Sequence, residues 1–391
     1  MEIYKLTPLT SLVWFQEGPG VRNTQYTNSG VKLLNVANLI DGHIDLSTSN
    51  RYIAEEEAYG RYRHFLCDKG DLVIASSGIK VDYFDKKMGF VRQEHLPLCM
   101  NTSTIRFKVL DKNILNIRYF MYFLKSNFFK SQLSKQITGS AQLNFGPSHL
   151  KRMIVPLINI DYQNHICGIL DKVYELEYKL QTELTLLNQL VKSRFIEMFG
   201  DSQSNPKGFP YKRINEFAKC IAGATPSTKR KEYWSNGIIP WMSSGEVNYK
   251  RIWETEKRIS QVGYDSCSTK MIPAHTVVIA MAGQGRTRGT VAVAEIPLCT
   301  NQSLCSIITD GTVDTDYLFT YLQFQYNNLR NISNGSSGRG GLNIKLIGQF
   351  AVLVPPLAIQ QKFSNFLKEI DKSKYRGRIF LRLLEDASHM L

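Results

Sequence analysis

The 391-residue chain contains no C-x-x-C pair, and its cysteines, at 67, 99, 167, 220, 267, 299 and 305, are odd in number and scattered. That pattern supports neither a zinc site nor a disulfide framework, and reads as the reduced core thiols of a cytosolic protein. No run of eighteen apolar residues occurs, so no membrane span is expected. The opening MEIYKLTPLTSLVWF lacks a basic segment followed by a long apolar run, so no signal peptide is expected either. Catalytic signatures are missing as well. Gly338–Lys345 is glycine-rich but lacks the G-K-[ST] of a phosphate loop, and no H-E-x-x-H occurs. Gly283-x-Gly285-x-x-x-Gly289 fails the dinucleotide spacing, because Arg288 stands where the third glycine belongs. It lies between TVVIAMA and TVAVA, two strand-like runs, so a hairpin loop is the better reading. The one Pro-Pro, Pro355-Pro356, follows a valine, so the N/D-P-P-aromatic tetrapeptide of amino-methyltransferases is absent. The acidic run Glu55-Glu56-Glu57 reads as solvated surface rather than a metal site, since its counterpart further along has no such triplet.

Acid is in short supply overall. Lys and Arg number 48 against 34 Asp and Glu, giving a formal charge of +14, a surplus that favours polyanion binding through phosphate contacts and counterion release. Hydrophobic residues make up 43 %, ample for two packed cores.

What is present is one paragraph written twice. LPLCMN (Leu96–Asn101) returns as IPLCTN (Ile296–Asn301), and DLVIASSG from Asp71 as TVVIAMAG from Thr276. RYIAEEEAYGRY from Arg51 answers KRISQVGYDS from Lys257, and GSAQLN (Gly139–Asn144) answers GRGGLN (Gly338–Asn343). IVPLINIDYQNHI from Ile154 returns as LVPPLAIQQKF from Leu353. A period this long means whole duplicated domains rather than a solenoid. The expected organisation is a first domain over 1–160, a spacer helix over 161–201, a linker over 202–208, a second domain over 209–357 and a second spacer helix over 358–391. Each domain is expected to mix short strands with an aromatic helix whose rings serve core packing, so the fold class is α/β (α+β).

The two tails carry helical periodicity. Apolar positions that include Ile169, Val173, Leu176, Leu180, Leu184, Leu187 and Val191 form a nearly continuous stripe up to Phe199, and Gly200 is a helix stop. A helix of about 39 residues is ~58 Å long, which calls for coiled-coil pairing. Phe363, Phe366, Leu367 and Ile370 of the second tail supply the partner face, and the pair is expected to be antiparallel. Gly377 interrupts the second tail and no equivalent of SRFIEMFGD (Ser193–Asp201) follows, so this helix is expected to be short or frayed.

Loops supply the candidate nucleic-acid contacts. In the second domain AGATPSTKRKEYW brings Thr225, Ser227, Lys229, Arg230, Lys231 and Trp234 together, with Trp241, Ser243 and Ser244 shortly after. The hairpin tip carries Gln284, Arg286 and Arg288, and a further glycine-rich loop carries Arg339. The first domain offers Arg22, Ser76, Ser77, Lys80, Lys86 and Lys87 at corresponding places. Gln and Arg read adenine and guanine edges bidentately, while Ser, Thr and Lys suit phosphate.

These motifs resemble a known family. GATPST…YW…IPWMSSGEV (Gly223–Val247), VVIAMAG, TNQSLCSI and GGLNIKLIGQFAVLVPPLAIQQKF are similar, in that order, to the target-recognition domains of type I restriction–modification specificity subunits. The first copy resembles another subtype, with GPGVRNTQYTNSGVKLLNVANL (Gly18–Leu39) in the opening place. The resemblance covers essentially the whole chain. It implies a non-catalytic reader of double-stranded DNA, each domain taking one half of a bipartite asymmetric site while the helices set the spacing. It further implies docking of two adenine methyltransferase subunits, which use S-adenosylmethionine, and of motor-nuclease subunits that need ATP and Mg; no cofactor is expected on this chain, nor any membrane association. The shortened second tail puts symmetrical docking in doubt. Two other classes compete: a self-contained DNA methyltransferase or nuclease with degenerate motifs, and a general nucleic-acid-binding adaptor that stacks bases on its aromatics.

Overall fold

In a computed structural model the described residues are 4–136, 143–202, 204–283, 285–332 and 341–390. The chain divides into two units, Met1–Lys179 with Leu381–Leu391, and Leu180–Phe380.

In the first unit the apolar run Leu72–Ala75 is wholly buried, as a strand covered on both faces must be. It lies inside a four-stranded sheet ordered Met88–Phe90, Leu72–Ala75, Thr104–Val109, Val13–Glu17, with every neighbour antiparallel. A second sheet runs Leu98–Met100, Val31–Leu34, Tyr52–Ile53, Tyr26–Thr27, and only its first pair is parallel. Helix Ile117–Lys125 lays Phe120 edge-on against Phe107 of the first sheet at 5.2 Å. The aromatics of this helix are therefore core, as the sequence suggested.

The second unit repeats the plan. Its main sheet is ordered Arg251–Ile252, Val291–Ala294, Thr276–Ala280, Leu304–Thr309, Ala218–Ala222. The expected hairpin is there: Thr276–Ala280 pairs antiparallel with Val291–Ala294. The smaller sheet joins Cys299–Thr300 in parallel to Ile239–Met242, which pairs antiparallel with Lys257–Ile259. One close approach recurs in both copies. A Cβ added at Gly18 would stand 2.0 Å from the Asn101 carbonyl oxygen, and one at Gly223 would stand 1.8 Å from that of Thr300. Only glycine lets the opening strand cross the PLC-x-N strand so tightly.

Each head ends in a two-stranded ribbon, Lys5–Pro8 with Ile154–Leu157 and Tyr211–Arg213 with Ala351–Leu353, that feeds a long helix. The junction is the same twice. Gln163, wholly buried, accepts a hydrogen bond from the Asn116 amide and donates to the carbonyls of Ile114 and Ile158. Gln360, also wholly buried, accepts from the Asp314 amide and donates to the Pro355 carbonyl. A buried amide side chain persists only when it is hydrogen-bonded, so each glutamine fixes its helix start to its own head.

The first tail helix, Ile160–Phe199, is 40 residues long and stops at Gly200, whose φ of 78° is the left-handed conformation that closes helices. The second, Leu357–Met390, has 34 residues, six fewer than the first, and runs unbroken through Gly377, contrary to the expected interruption there. The reason is packing. Within the second unit a Cβ at residue 377 would meet Leu184 Cδ2 at 3.4 Å, an ordinary contact between the two helices. In the same unit Phe363 meets Phe195 and Phe199 at ring distances of 5.3 and 5.5 Å. Moving forward along one helix means moving back along the other, so the pair is antiparallel.

Val191, Phe195, Phe199, Phe363 and Leu367 are buried in that seam, with Phe366 and Ile370 packed against them. Val173, Leu180, Leu184 and Leu187 are half-buried. Ile169 and Leu176 are corrections: they are 38 % and 41 % exposed, because the inner stripe of the first helix starts from Gln163, Cys167 and Leu170, one position off.

Candidate nucleic-acid interface

The second head assembles its opening loop on a tryptophan pair. Trp241 is buried and donates its indole N–H to the Ala224 carbonyl at 3.0 Å; Trp234 meets it edge-on at 5.0 Å and donates to the Ser227 carbonyl. Trp241 therefore holds the loop from behind and offers no face to a ligand, contrary to its place among the candidate contacts. Lys229, Arg230 and Lys231 project from the supported loop and are exposed, as is Ser227. Arg230 lies over the Tyr233 ring, 5.6 Å from its centroid. Thr225 Oγ1 bonds Gln302 Oε1, which joins the Thr-Pro-Ser loop to the Thr-Asn-Gln-Ser turn. Ser243 and Ser244, half-buried, begin a short 3₁₀ turn closed by Glu246, whose carboxylate accepts from the Ser243 amide.

The hairpin tip is tied down from a neighbouring helix. Tyr326 donates its hydroxyl to the Arg286 carbonyl at 2.9 Å, and Arg330 donates to the carbonyls of Gly285 and Arg288 at 2.7 and 3.4 Å. Thr290 Oγ1 also donates to the Arg286 carbonyl. With its backbone held this way, the exposed Arg286 side chain is carried on an ordered tip, while Arg288 is half-buried. Gln284 and Arg339 lie outside the described residues.

An open groove sits beside the hairpin. It is lined by Met281, Ala282, Gln302, Ser303, Asn343 and Lys345, among others. Gln302, Asn343 and Lys345 are exposed and are polar groups that the reading of the sequence passed over. Their segments, TNQS and GLNIK, stood out only as motifs of the family resemblance, and their polar side chains were not among the candidate contacts.

The first head builds the corresponding place by the same backbone clasp. Ser76 donates its amide to the Ser103 carbonyl and accepts from the Phe145 amide; Met281 donates to Ser303 and accepts from Leu342. Ser76 is 1 % exposed, so this candidate belongs to the clasp rather than the surface. Arg22, Lys80 and Lys86 are exposed, Ser77 and Lys87 half-buried. Lys86 lies 6.0 Å from the Tyr83 ring centroid. Among the described residues no group of three or more His, Cys, Asp or Glu side chains is disposed to hold a metal, and no helix is long and apolar enough to cross a membrane.

Two copies of one α/β head, each locked by a buried glutamine to its own long helix, define a tandem head-and-helix protein. A family model described as the type I restriction modification DNA specificity domain matches residues 21–187 and again 206–376, and the chain belongs to that family. Relatives include the type I restriction enzyme MjaIX specificity subunit of Methanocaldococcus jannaschii, 31 % identical over 191 residues, covering 46 % of this chain and 43 % of that one. The EcoR124I/EcoR124II specificity subunit of Escherichia coli is 23 % identical over 218 residues, 55 % of this chain and 53 % of that one. The chain thus spans about half the length of the curated relatives it matches. Among solved structures, the S subunit of a type I restriction-modification system from M. genitalium aligns over 99 % of this chain and 94 % of its own, with a TM-score of 0.63 at 15 % identity. That likeness is one of fold.

Proposed function

We propose that this chain is the non-catalytic, DNA-reading subunit of a type I restriction–modification complex. Each head reads one half of a bipartite, asymmetric double-stranded site, and the helical pair sets the unread spacing. The observation that carries this reading is the doubled head with unlike loops: the backbone clasp is common to both, but Lys229-Arg230-Lys231 and the anchored Arg286 tip have no close copy in the first head. Shared scaffolds with different exposed side chains suit two different half-sites. The tail helices dock two adenine methyltransferase subunits, which bring S-adenosylmethionine, and motor-nuclease subunits bring ATP and Mg. A +14 chain supplies the phosphate-binding term that positions the heads before any base is read.

The test is salt-dependent binding of duplex DNA by the chain in complex with its methyltransferase subunit. Arg286→Ala and Arg288→Ala should each weaken binding and reduce the slope of log affinity against log salt by about one. Unchanged affinity and slope in both variants would mean that the hairpin tip faces away from DNA. Tighter binding to single strands than to duplex would replace the reading with that of a stacking adaptor.

A further inference from the structure

Superposing the order of elements in the two heads places Arg118 of helix Ile117–Lys125 opposite Asp316 of helix Thr315–Phe324, each two residues after the capping residue whose amide the buried glutamine accepts. Counting from those glutamines, Asp171 corresponds to Lys368 and Tyr174 to Asp371. In the first head Arg118 Nη2 contacts Asp171 at 2.5 Å. In the second head the corresponding pair is Asp316 with Lys368 at 4.0 Å. The charges at corresponding positions are exchanged, although the second pair is looser: Lys368 is 62 % exposed, and the nearer partner of Asp316 is Arg251 at 2.8 Å.

The surroundings differ to match. Asp171 also accepts from the Tyr122 hydroxyl at 2.5 Å, and Tyr122 stacks on Tyr174 with centroids 5.6 Å apart and planes 3° from parallel. Lys125 Nζ lies 4.4 Å from the Tyr174 centroid. In the second head Arg251 takes the central place, reaching Glu295, Asp316 at 2.8 Å and Asp371 at 3.1 Å. His275 adds a 2.9 Å contact to Glu295, and Lys374 stands 3.9 Å from Asp371.

We infer that the inverted pairs make the two head–helix joints mutually exclusive, so that each head accepts its own tail helix and rejects that of the other copy. The first head on the second helix would set Arg118 against Lys368. The second head on the first helix would set Asp316 against Asp171 and strip Arg251 of Asp371. Both wrong combinations bring like charges together, which opposes pairing as strongly as opposite charges favour it. A transplantable module is therefore a head together with its helix through Tyr174 or Asp371. A head cut at its glutamine is not one. This inference concerns assembly of the chain and stands whether or not the heads read DNA.

The experiment is native-state hydrogen exchange, read by mass spectrometry over residues 163–174 of the full chain, on Arg118→Asp, Asp171→Lys and the double variant. Each single change should speed exchange there by roughly 3–10-fold, and the double should recover most of that loss. A second arm uses Lys368→Asp and Lys368→Ala, followed over residues 360–371. The aspartate should loosen the joint and the alanine leave it close to the parent. Single effects that simply add in the double variant, or equal effects of the two Lys368 substitutions, would overturn the proposal.

Discussion

Phe195 is a position where a single substitution should strike the joint between the tail helices and the second head. Its ring lies 4.8 Å from Phe199, 5.1 Å from Phe324, 5.3 Å from Phe363, 5.7 Å from Tyr317 and 6.4 Å from Tyr321. It is 4 % exposed and belongs to the cluster that joins both tail helices to the aromatic helix and the main sheet. Phe195→Ala removes the apolar transfer term and leaves a cavity that neighbours on three elements cannot all close, so about 3–5 kcal/mol should be lost. Edge-on and stacked ring pairs contribute about 0.5–1.5 kcal/mol each beyond burial, but they share one ring and do not add. Phe195→Leu keeps much of the volume and discards the ring geometry, and should cost roughly 1–2 kcal/mol. For a unit of this size the alanine variant should lower Tm by roughly 6–20 °C. Urea unfolding followed by tyrosine and tryptophan fluorescence gives the free energies. A loss under about 1 kcal/mol for Phe195→Ala would refute the aromatic joint between tail helices and head.

Gly377→Ala should stabilise the chain, by about 0.5–1 kcal/mol, because the helix continues through this position and the added methyl meets Leu184 at an ordinary distance; a lowered Tm would mean that the helices approach more closely there. Burial pushes the hydroxyl pKa values of Tyr174 and Tyr321 up from 10 to about 12, and those of Tyr122 and Tyr317 upward as well. Groups raised in the folded state add stability that is complete below pH 10 and is lost as pH climbs toward 12, so Tm should fall across that window while native absorbance at 295 nm keeps these phenols protonated near pH 11. A flat Tm over the same range would contradict their burial. Cys67, Cys99, Cys167, Cys299 and Cys305 are buried, Cys220 and Cys267 half-buried. Burial holds the thiols of Cys67 and Cys99 up at about 12 and those of Cys167 and Cys299 at about 11. Thiol titration at pH 8 should therefore label at most Cys220 and Cys267 until the chain is denatured; fast labelling at Cys67 or Cys99 would contradict the packing of the first core.

Much of the fold was legible because the chain states it twice. The repeated anchors predicted one architecture in duplicate, and both heads have the corresponding strand order. TVVIAMA and TVAVA announced a hairpin by being apolar throughout and separated by glycines. The 40-residue helix followed from a periodic stripe and a glycine stop. The seam register did not follow, since over so long a helix several rows of apolar residues coexist; Ile169 and Leu176 fell on the wrong row. Gly377 misled for a related reason, because helix propensity is a small local term that contacts with a facing helix override. The candidate interface was legible as a set of loops but not residue by residue. Residue type and loop position alone made Trp241 and Ser76 candidate contacts, whereas three-dimensional packing puts Trp241 behind its loop and Ser76 inside a backbone clasp. Gln302, Asn343 and Lys345 escaped because their segments stood out as motifs of the resemblance, and uncharged or isolated polar residues carry little signal until folding lines them along one groove. The exchanged charges of Arg118–Asp171 and Asp316–Lys368 required both heads to be laid side by side.

The central claim is that two unlike heads read two half-sites in one duplex. Selection from a fully randomised duplex library by the chain together with the methyltransferase subunit proposed for it tests this most directly. Two different short motifs should be enriched at one fixed separation, with loss of one motif alone when Lys229, Arg230 and Lys231 are all changed to Ala. Enrichment of a single motif, of two identical ones, or of none would contradict it.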